Sequence, residues 1–196
     1  MERFDKTFEF IKRVEGGYNK IPSDTGGQTI FGIAQAFNKD LALWGEIKAK
    51  YGDEIAKQSR ITGSNPLSKK ITRWVASRPD LMQEIRDCYY NRYWVASCAY
   101  CFDAPLDAIL FDSYFNMGIA AKRLLQEWAG VPESNRDGIL GKQSKAAIRA
   151  CQKSPAEYIR LRWEYYQTRP SFAAHGNGWR NRLLELANFC NIKIEL

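Results

Sequence analysis

Histidine is nearly absent from this 196-residue chain, which has one, His175. An acyl-transfer relay needs an imidazole beside a Ser or Cys nucleophile. His175 stands instead in a Gly/Asn stretch next to Trp179 with no such partner motif, so it is expected in a surface loop, at most a minor substrate contact. The same shortage removes donors for a closed zinc site, since only Cys98 and Cys101 form a CxxC pair. No metal and no other cofactor is expected. The five cysteines, Cys88, Cys98, Cys101, Cys151 and Cys190, are odd in number, which argues against a disulfide framework. Buried or incidental thiols are the expectation, with a redox pair at 98 and 101 as the alternative. Long apolar runs, low-complexity tracts and repeats of solenoid length are also missing, which excludes stable membrane insertion by a helix and the array architectures.

What remains is the composition of an ordinary globular protein, 45% hydrophobic and 26% charged, long enough to bury a core without staples. The net charge of +7 and pI near 9.2 point to a polyanionic partner: nucleic acid, anionic lipid or an acidic envelope polymer. There is no recognition-helix dimer pattern, zinc-finger spacing or extended basic run, so nucleic acid drops behind. Aromatics make up 13%, with six Trp and ten Tyr. Flat rings of this kind suit the apolar faces of sugars, and equally suit a core.

Helical periodicity dominates. Phe4, Phe8, Ile11 and Glu15 recur on one face of a first helix that Gly16 and Gly17 stop. Residues 18–32, with Pro22, Ser23-Asp24-Thr25, Gly26-Gly27 and Thr29-Ile30-Phe31, form a turn-rich stretch that predicts a short hairpin, the one convincing β signal. Helical or mixed segments follow over 33–37, 47–58, 68–76, 79–94, 105–117, 120–128, 142–151, 155–168 and 178–191. They are interrupted at Thr62-Gly63-Ser64-Asn65-Pro66 and over 132–141. The fold class is therefore mainly α with a small β element after the first helix. Tyr89, Tyr90, Tyr93, Trp94 and Tyr100 make an aromatic belt, at least half of it expected in the core.

Chemistry concentrates in residues 15–33, EGGYNKIPSDTGGQTIFGI. Cleaving a glycosidic bond requires a carboxylic acid that still holds its proton, because the leaving oxygen is poor until protonated. Glu15 on an apolar helix face meets that need, since desolvation disfavours the carboxylate. Asp24 in a polar loop should stay ionised, as a base or charge stabiliser, and Thr29 is positioned to help hold a water. By spacing alone Glu15 also fits a surface residue beside a helix cap, and Asp24 a turn former.

The run Glu15-Gly16-Gly17-Tyr18, then Asp24-Thr25-Gly26-Gly27, Thr29 and Phe31-Gly32-Ile33, resembles the signature of glycoside hydrolase family 108. Phe111-Asp112-Ser113-Tyr114-Phe115-Asn116-Met117-Gly118, Asp137-Gly138-Ile139-Leu140-Gly141 and Gly178-Trp179-Arg180-Asn181-Arg182 are similar to the C-terminal peptidoglycan-binding region found with it. The resemblance implies a lysozyme-like helical fold and an N-acetylmuramidase acting without cofactor on peptidoglycan, with Glu15 as acid. Asp24 and Thr29 match in position, and their roles as water-positioning or charge-stabilising partners are hypotheses. Tyr18, Gln28, Asn116 and Trp179 are the candidate substrate contacts. Asn116 suits an acetamido group and equally a helix end, and Asp137-Gly138 reads as a structural turn.

Residues 1–100 would form the catalytic region and 101–196 a helical wall-binding region packed on it, or the two a single domain. Lytic transglycosylase is the alternative activity, and a non-catalytic wall-binding or secretion-assisting protein the second. The polar opening Met-Glu-Arg-Phe-Asp-Lys lacks the pattern of a signal peptide. The expectation is synthesis in the cytoplasm and access to the wall by holin-type or other non-classical export.

Overall fold

The computed structural model describes residues 1–22 and 26–196. Among them nine α-helices dominate: α1 (Glu2–Glu15), α2 (Ala42–Ala56), α3 (Pro66–Ala76), α4 (Pro79–Tyr89), α5 (Leu106–Met117), α6 (Ile119–Trp128), α7 (Lys142–Ala150), α8 (Pro155–Gln167) and α9 (Phe172–Phe189). Between α1 and α2 lies an antiparallel sheet of β1 (Asn19–Lys20), β2 (Gln28–Ile30) and β3 (Ile33–Ala34), in the order β1-β2-β3. The expected mainly α fold with a small β element after the first helix is what forms, although the sheet has three strands where a hairpin was expected. Among the described residues no helix is long and apolar enough to cross a membrane. The chain divides into two compact units, one of residues Phe8–Tyr89 and one of Met1–Thr7 with Tyr90–Leu196.

In the Phe8–Tyr89 unit the apolar stripe of α1 is buried as its spacing predicts. Phe8 and Ile11 join Ile30, Ile33, Leu43, Ile47, Ile71 and Ile85 in the core. The break read at residues 62–66 is the start of α3: the Asn65 side chain accepts the Leu67 N–H at 2.8 Å and Pro66 occupies the first turn, where its missing N–H costs nothing. Helix α2 begins at Ala42, five residues before the expected 47, because its cap comes from elsewhere. Leu41 precedes it with no capping side chain, and the Glu84 carboxylate of α4 accepts the Ala42 and Leu43 N–H groups at 2.7 and 2.8 Å. Residues 33–37, expected to be helical or mixed, instead form β3 and a short 3-10 turn.

The other unit is centred on α5, which buries seven consecutive residues, Asp107 to Ser113, and so is covered nearly all round. Phe4, Trp94 and Phe111 meet mainly edge to face, with ring centroids 5.3 to 5.9 Å apart. Of the aromatic belt Tyr89 and Trp94 are buried, Tyr90 and Tyr93 half-buried, and Tyr100 exposed. Within the buried run of α5, Asp112 is fully enclosed. Its Oδ1 accepts Nε and Nη2 of Arg182 at 3.0 and 2.6 Å, and its Oδ2 accepts Nη1 of Arg162 at 2.5 Å. Arg162, also fully buried, donates further to the Ser113 and Tyr166 hydroxyls at 3.1 and 2.9 Å. Helix α8 opens with a capping box: Ser154 Oγ accepts the Ala156 N–H and Glu157 accepts the Ser154 N–H.

One expectation is corrected here. His175 does not lie in a Gly/Asn loop; it is in the first turns of α9, which starts at Phe172, six residues before the expected 178. Of the glycines that suggested a loop, Gly176 serves packing, since a Cβ on it would come within 2.8 Å of the Phe172 ring. His175 is exposed there.

Candidate active site

Glu15 is the last residue of α1 and is half-buried. The helix stops because Gly16 follows at φ +76°, the left-handed conformation that glycine adopts at little cost. Gly17 then has no room for a side chain, since a Cβ would lie 2.4 Å from Thr72 Oγ1 of α3. That close approach lets α3 hold Tyr18 by both backbone groups: Thr72 Oγ1 accepts the Tyr18 N–H at 2.9 Å, and Ser68 Oγ donates to the Tyr18 carbonyl. Ser68 and Thr72 are residues the sequence reading passed over. Their signal is two hydroxyls four apart on one helix face.

The sheet is fastened to the same segment. β2 pairs with β1 as Asn19 with Thr29 and Lys20 with Gln28, and with β3 as Thr29 with Ala34 and Ile30 with Ile33. Phe31 and Gly32 close the second hairpin with φ of 48° and 73°, the pair of positive values that marks a type I′ turn. For phenylalanine this conformation is strained. It is held by the Phe31 N–H donating to the Gly16 carbonyl at 3.1 Å and by the Tyr89 hydroxyl donating to the Phe31 carbonyl. The end of α1 and the residues after Thr29 are thereby bound to each other.

Of the predicted residues, Glu15, Tyr18, Gln28 and Thr29 belong to this one assembly. Tyr18 is 0% exposed and its hydroxyl donates to Gln28 Oε1 at 2.6 Å. Burial pushes its phenol pKa up, so it stays a neutral donor. A direct sugar contact, expected from the motif, is closed to a side chain so enclosed; Tyr18 is a positioning residue that orients half-buried Gln28. Thr29 is half-buried in β2. Asp24 lies outside the described residues.

We expect Gly17→Ala to destabilise the protein by about 1–3 kcal/mol, since the added methyl must displace Thr72 or the Tyr18 backbone. Tyr18→Phe should cost about 1 kcal/mol, the net worth of one hydrogen bond. Thermal unfolding checks both, and an alanine at 17 without effect would show the approach to α3 to be slack.

Asn116 and Trp179 belong to the other unit, where they line one pocket of about 280 Å³ with Tyr165, Tyr166 and Arg169. Trp179 stacks on Tyr166 at 4.7 Å and 25°. Asn116 is exposed on the last turn of α5, its Nδ2 donating to the Asp112 carbonyl, and Gly118 follows as the cap. The Arg169 guanidinium rests 5.2 Å from the Tyr165 ring centre. Tyr165 and Arg169, four residues apart, were not singled out in the sequence. The Asp137-Gly138 turn is built as a structural element. Asp137 Oδ1 accepts the Gln126 amide and the Ile139 N–H, and a Cβ on Gly138 would lie 2.4 Å from the Ile119 side chain.

A helix that ends at a half-buried glutamate beside a small antiparallel sheet, in a mainly α chain, is consistent with a lysozyme-like fold. The model of the family Glycosyl hydrolase 108 matches residues 8–118, more than half of the length, and the chain belongs to that family. Membership makes it a glycoside hydrolase of a family whose members hydrolyse peptidoglycan. Among solved structures it is similar to SagA from Brucella abortus at 23% identity, covering 97% of this chain and 94% of that one with a TM-score of 0.64, a likeness of fold. No curated protein matches it.

Proposed function

We propose that the chain is an N-acetylmuramidase that hydrolyses the β-1,4 bond between N-acetylmuramic acid and N-acetylglucosamine, with Glu15 as general acid. The observation that supports this reading is the rigid delivery of Glu15 at the end of α1, tied through Gly16 to the Phe31 turn, in a chain of family 108. Proton donation to the glycosidic oxygen lets the bond break toward an oxocarbenium-like state. Asp24 stabilises that state or positions the attacking water, Thr29 assists, and Gln28, oriented by Tyr18, contacts the sugar. Carboxyl groups about 6.5–9.5 Å apart would mean inversion and about 5–5.5 Å retention.

The pocket of Asn116 and Trp179 then holds the glycan strand, its ring stack suiting a sugar face and its amide an acetamido group. In this reading residues 101–196 serve wall binding and 1–100 catalysis. The net charge of +7 favours the acidic wall. Access to the wall is by holin-type or another non-classical route.

Mass spectrometry of glycan fragments from purified peptidoglycan tests the reaction. A reducing muramic end carrying one added water is expected; anhydro ends instead would make the chain a lytic transglycosylase, and intact glycan would end the enzymatic reading. For the pocket, Asn116→Ala should weaken binding to insoluble peptidoglycan about tenfold, or ~1.4 kcal/mol, without shifting the melting temperature. Unchanged co-sedimentation would remove Asn116 from the site.

A further inference from the structure

Cys98 and Cys101 occupy a turn with unusual backbone and unusual neighbours. Cys98 has φ +65° and ψ +22°, a left-handed conformation that glycine or asparagine adopts more cheaply than cysteine. It leads directly into the 3-10 turn Ala99–Cys101, whose Cys101 N–H donates to the Cys98 carbonyl at 3.0 Å. A four-residue turn closed by that bond keeps its end Cα atoms under about 7 Å apart. A disulfide requires about 4.4–6.8 Å. Both thiols are partly exposed, in contrast to buried Cys88, and both are free.

The turn is fixed from both ends. Before it, the Ser97 hydroxyl donates to the Trp94 carbonyl and accepts the Ala99 N–H. After it, Arg149 of α7 donates to the Cys101 carbonyl at 3.0 Å. Lys145, one helical turn from Arg149, faces the same place. Burial works against its ammonium, but the Cys101 side chain and the charges of Cys98, Cys101 and Tyr100 outweigh this and raise its pKa. The Tyr100 phenol is raised as well, by its hydrogen bond to the Cys101 side chain and by the charges of Cys101 and Cys98. Partly exposed thiols beside two cations form the surroundings in which cysteine exchanges disulfides.

We propose that Cys98 and Cys101 are a modification site, forming a reversible intramolecular disulfide by exchange with a low-molecular-weight disulfide of the glutathione class. The Cys101 sulfur, as thiolate, attacks one sulfur of the small disulfide. That S–S bond breaks, and the displaced thiolate takes up the proton Cys101 gave to solvent. Cys98, losing its own proton, attacks the Cys101 sulfur of the mixed disulfide and expels the second small thiol. Two protein thiols are oxidised and one disulfide is reduced to two thiols. The Lys145 ammonium, hydrogen-bonded with the Cys101 side chain, lies beside the attacking sulfur.

Treating the full chain with oxidised glutathione, then alkylating and mapping peptides, tests this. The expected product is lighter by two hydrogens, protected at 98 and 101, and, when alkylated after unfolding, labelled at Cys88, Cys151 and Cys190; dithiothreitol restores all labelling. Cys98→Gly, which suits the left-handed backbone, should instead stop at a stable glutathione adduct on Cys101. Unchanged circular dichroism would show that its turn is kept, and Cys98→Ser provides the same chemical readout at near-native size. A wild-type chain that remains reduced, ends as glutathione adducts or links another pair would overturn the proposal.

Discussion

Glu15→Gln should lower the rate of glycan cleavage by about 10²- to 10⁴-fold, the range that a positioned general acid contributes, or roughly 3–5 kcal/mol of transition-state stabilisation. The substitution keeps the size and shape of the side chain at the last residue of α1. The bonds that set the site, from Phe31 to Gly16 and from Tyr18 to Thr72 and Ser68, do not involve the carboxyl group. Melting temperature and wall binding should therefore be retained. Loss of lysis with binding intact separates the enzyme from a wall-binding or secretion-assisting protein. A Glu15→Gln protein that lyses within tenfold of wild type would move the acid elsewhere.

The largest stability effect is expected at Asp112. Asp112→Ala removes the one carboxylate shared by Arg162 and Arg182, of which Arg162 is fully buried with its Nη2 already lacking a hydrogen-bond partner. Breaking a buried charge pair from one side costs about 3–5 kcal/mol, a fall in melting temperature of roughly 6–20 °C for a chain of this size. Burial alone would raise the Asp112 pKa, but Arg182 and then Arg162 outweigh it and hold it below the usual carboxylate range. A carboxyl depressed on folding contributes stability above its unfolded pKa of about 4. That contribution is lost as pH falls through the lower native value, so acid should destabilise wild type more than the Asp112→Ala protein. Equal acid sensitivity of the two would show the network to be energetically idle.

Local patterns carried most of the fold. The stripe of Phe8 and Ile11 and the start of α8 at Pro155 are written within a few residues, and each appears where the sequence puts it; Asn65-Pro66, which reads as a break, proves to be the start of α3. What escaped is set across the fold. The start of α2 depends on a carboxylate from α4, and α9 runs through Gly176, where the Phe172 ring leaves no room for a side chain.

The site divides the same way. That Glu15, Tyr18, Gln28 and Thr29 sit in one assembly was legible because one short motif holds them. The burial of Tyr18 was not, since the hydroxyls that fasten it come from Ser68 and Thr72, far along the chain. Asn116 and Trp179 were found as separate residues; only folding shows that Tyr166 joins them in one pocket.

The contact of Gly17 with Thr72 also sets a rule for descent. The space a side chain at 17 would need is the space the Thr72 hydroxyl fills, so neither position is free to drift alone. Relatives that gained a residue larger than glycine at 17 should have lost the β-branched hydroxyl at 72, and with it the anchor for the Tyr18 N–H. Two positions that look unrelated in one sequence should therefore change as a pair across many.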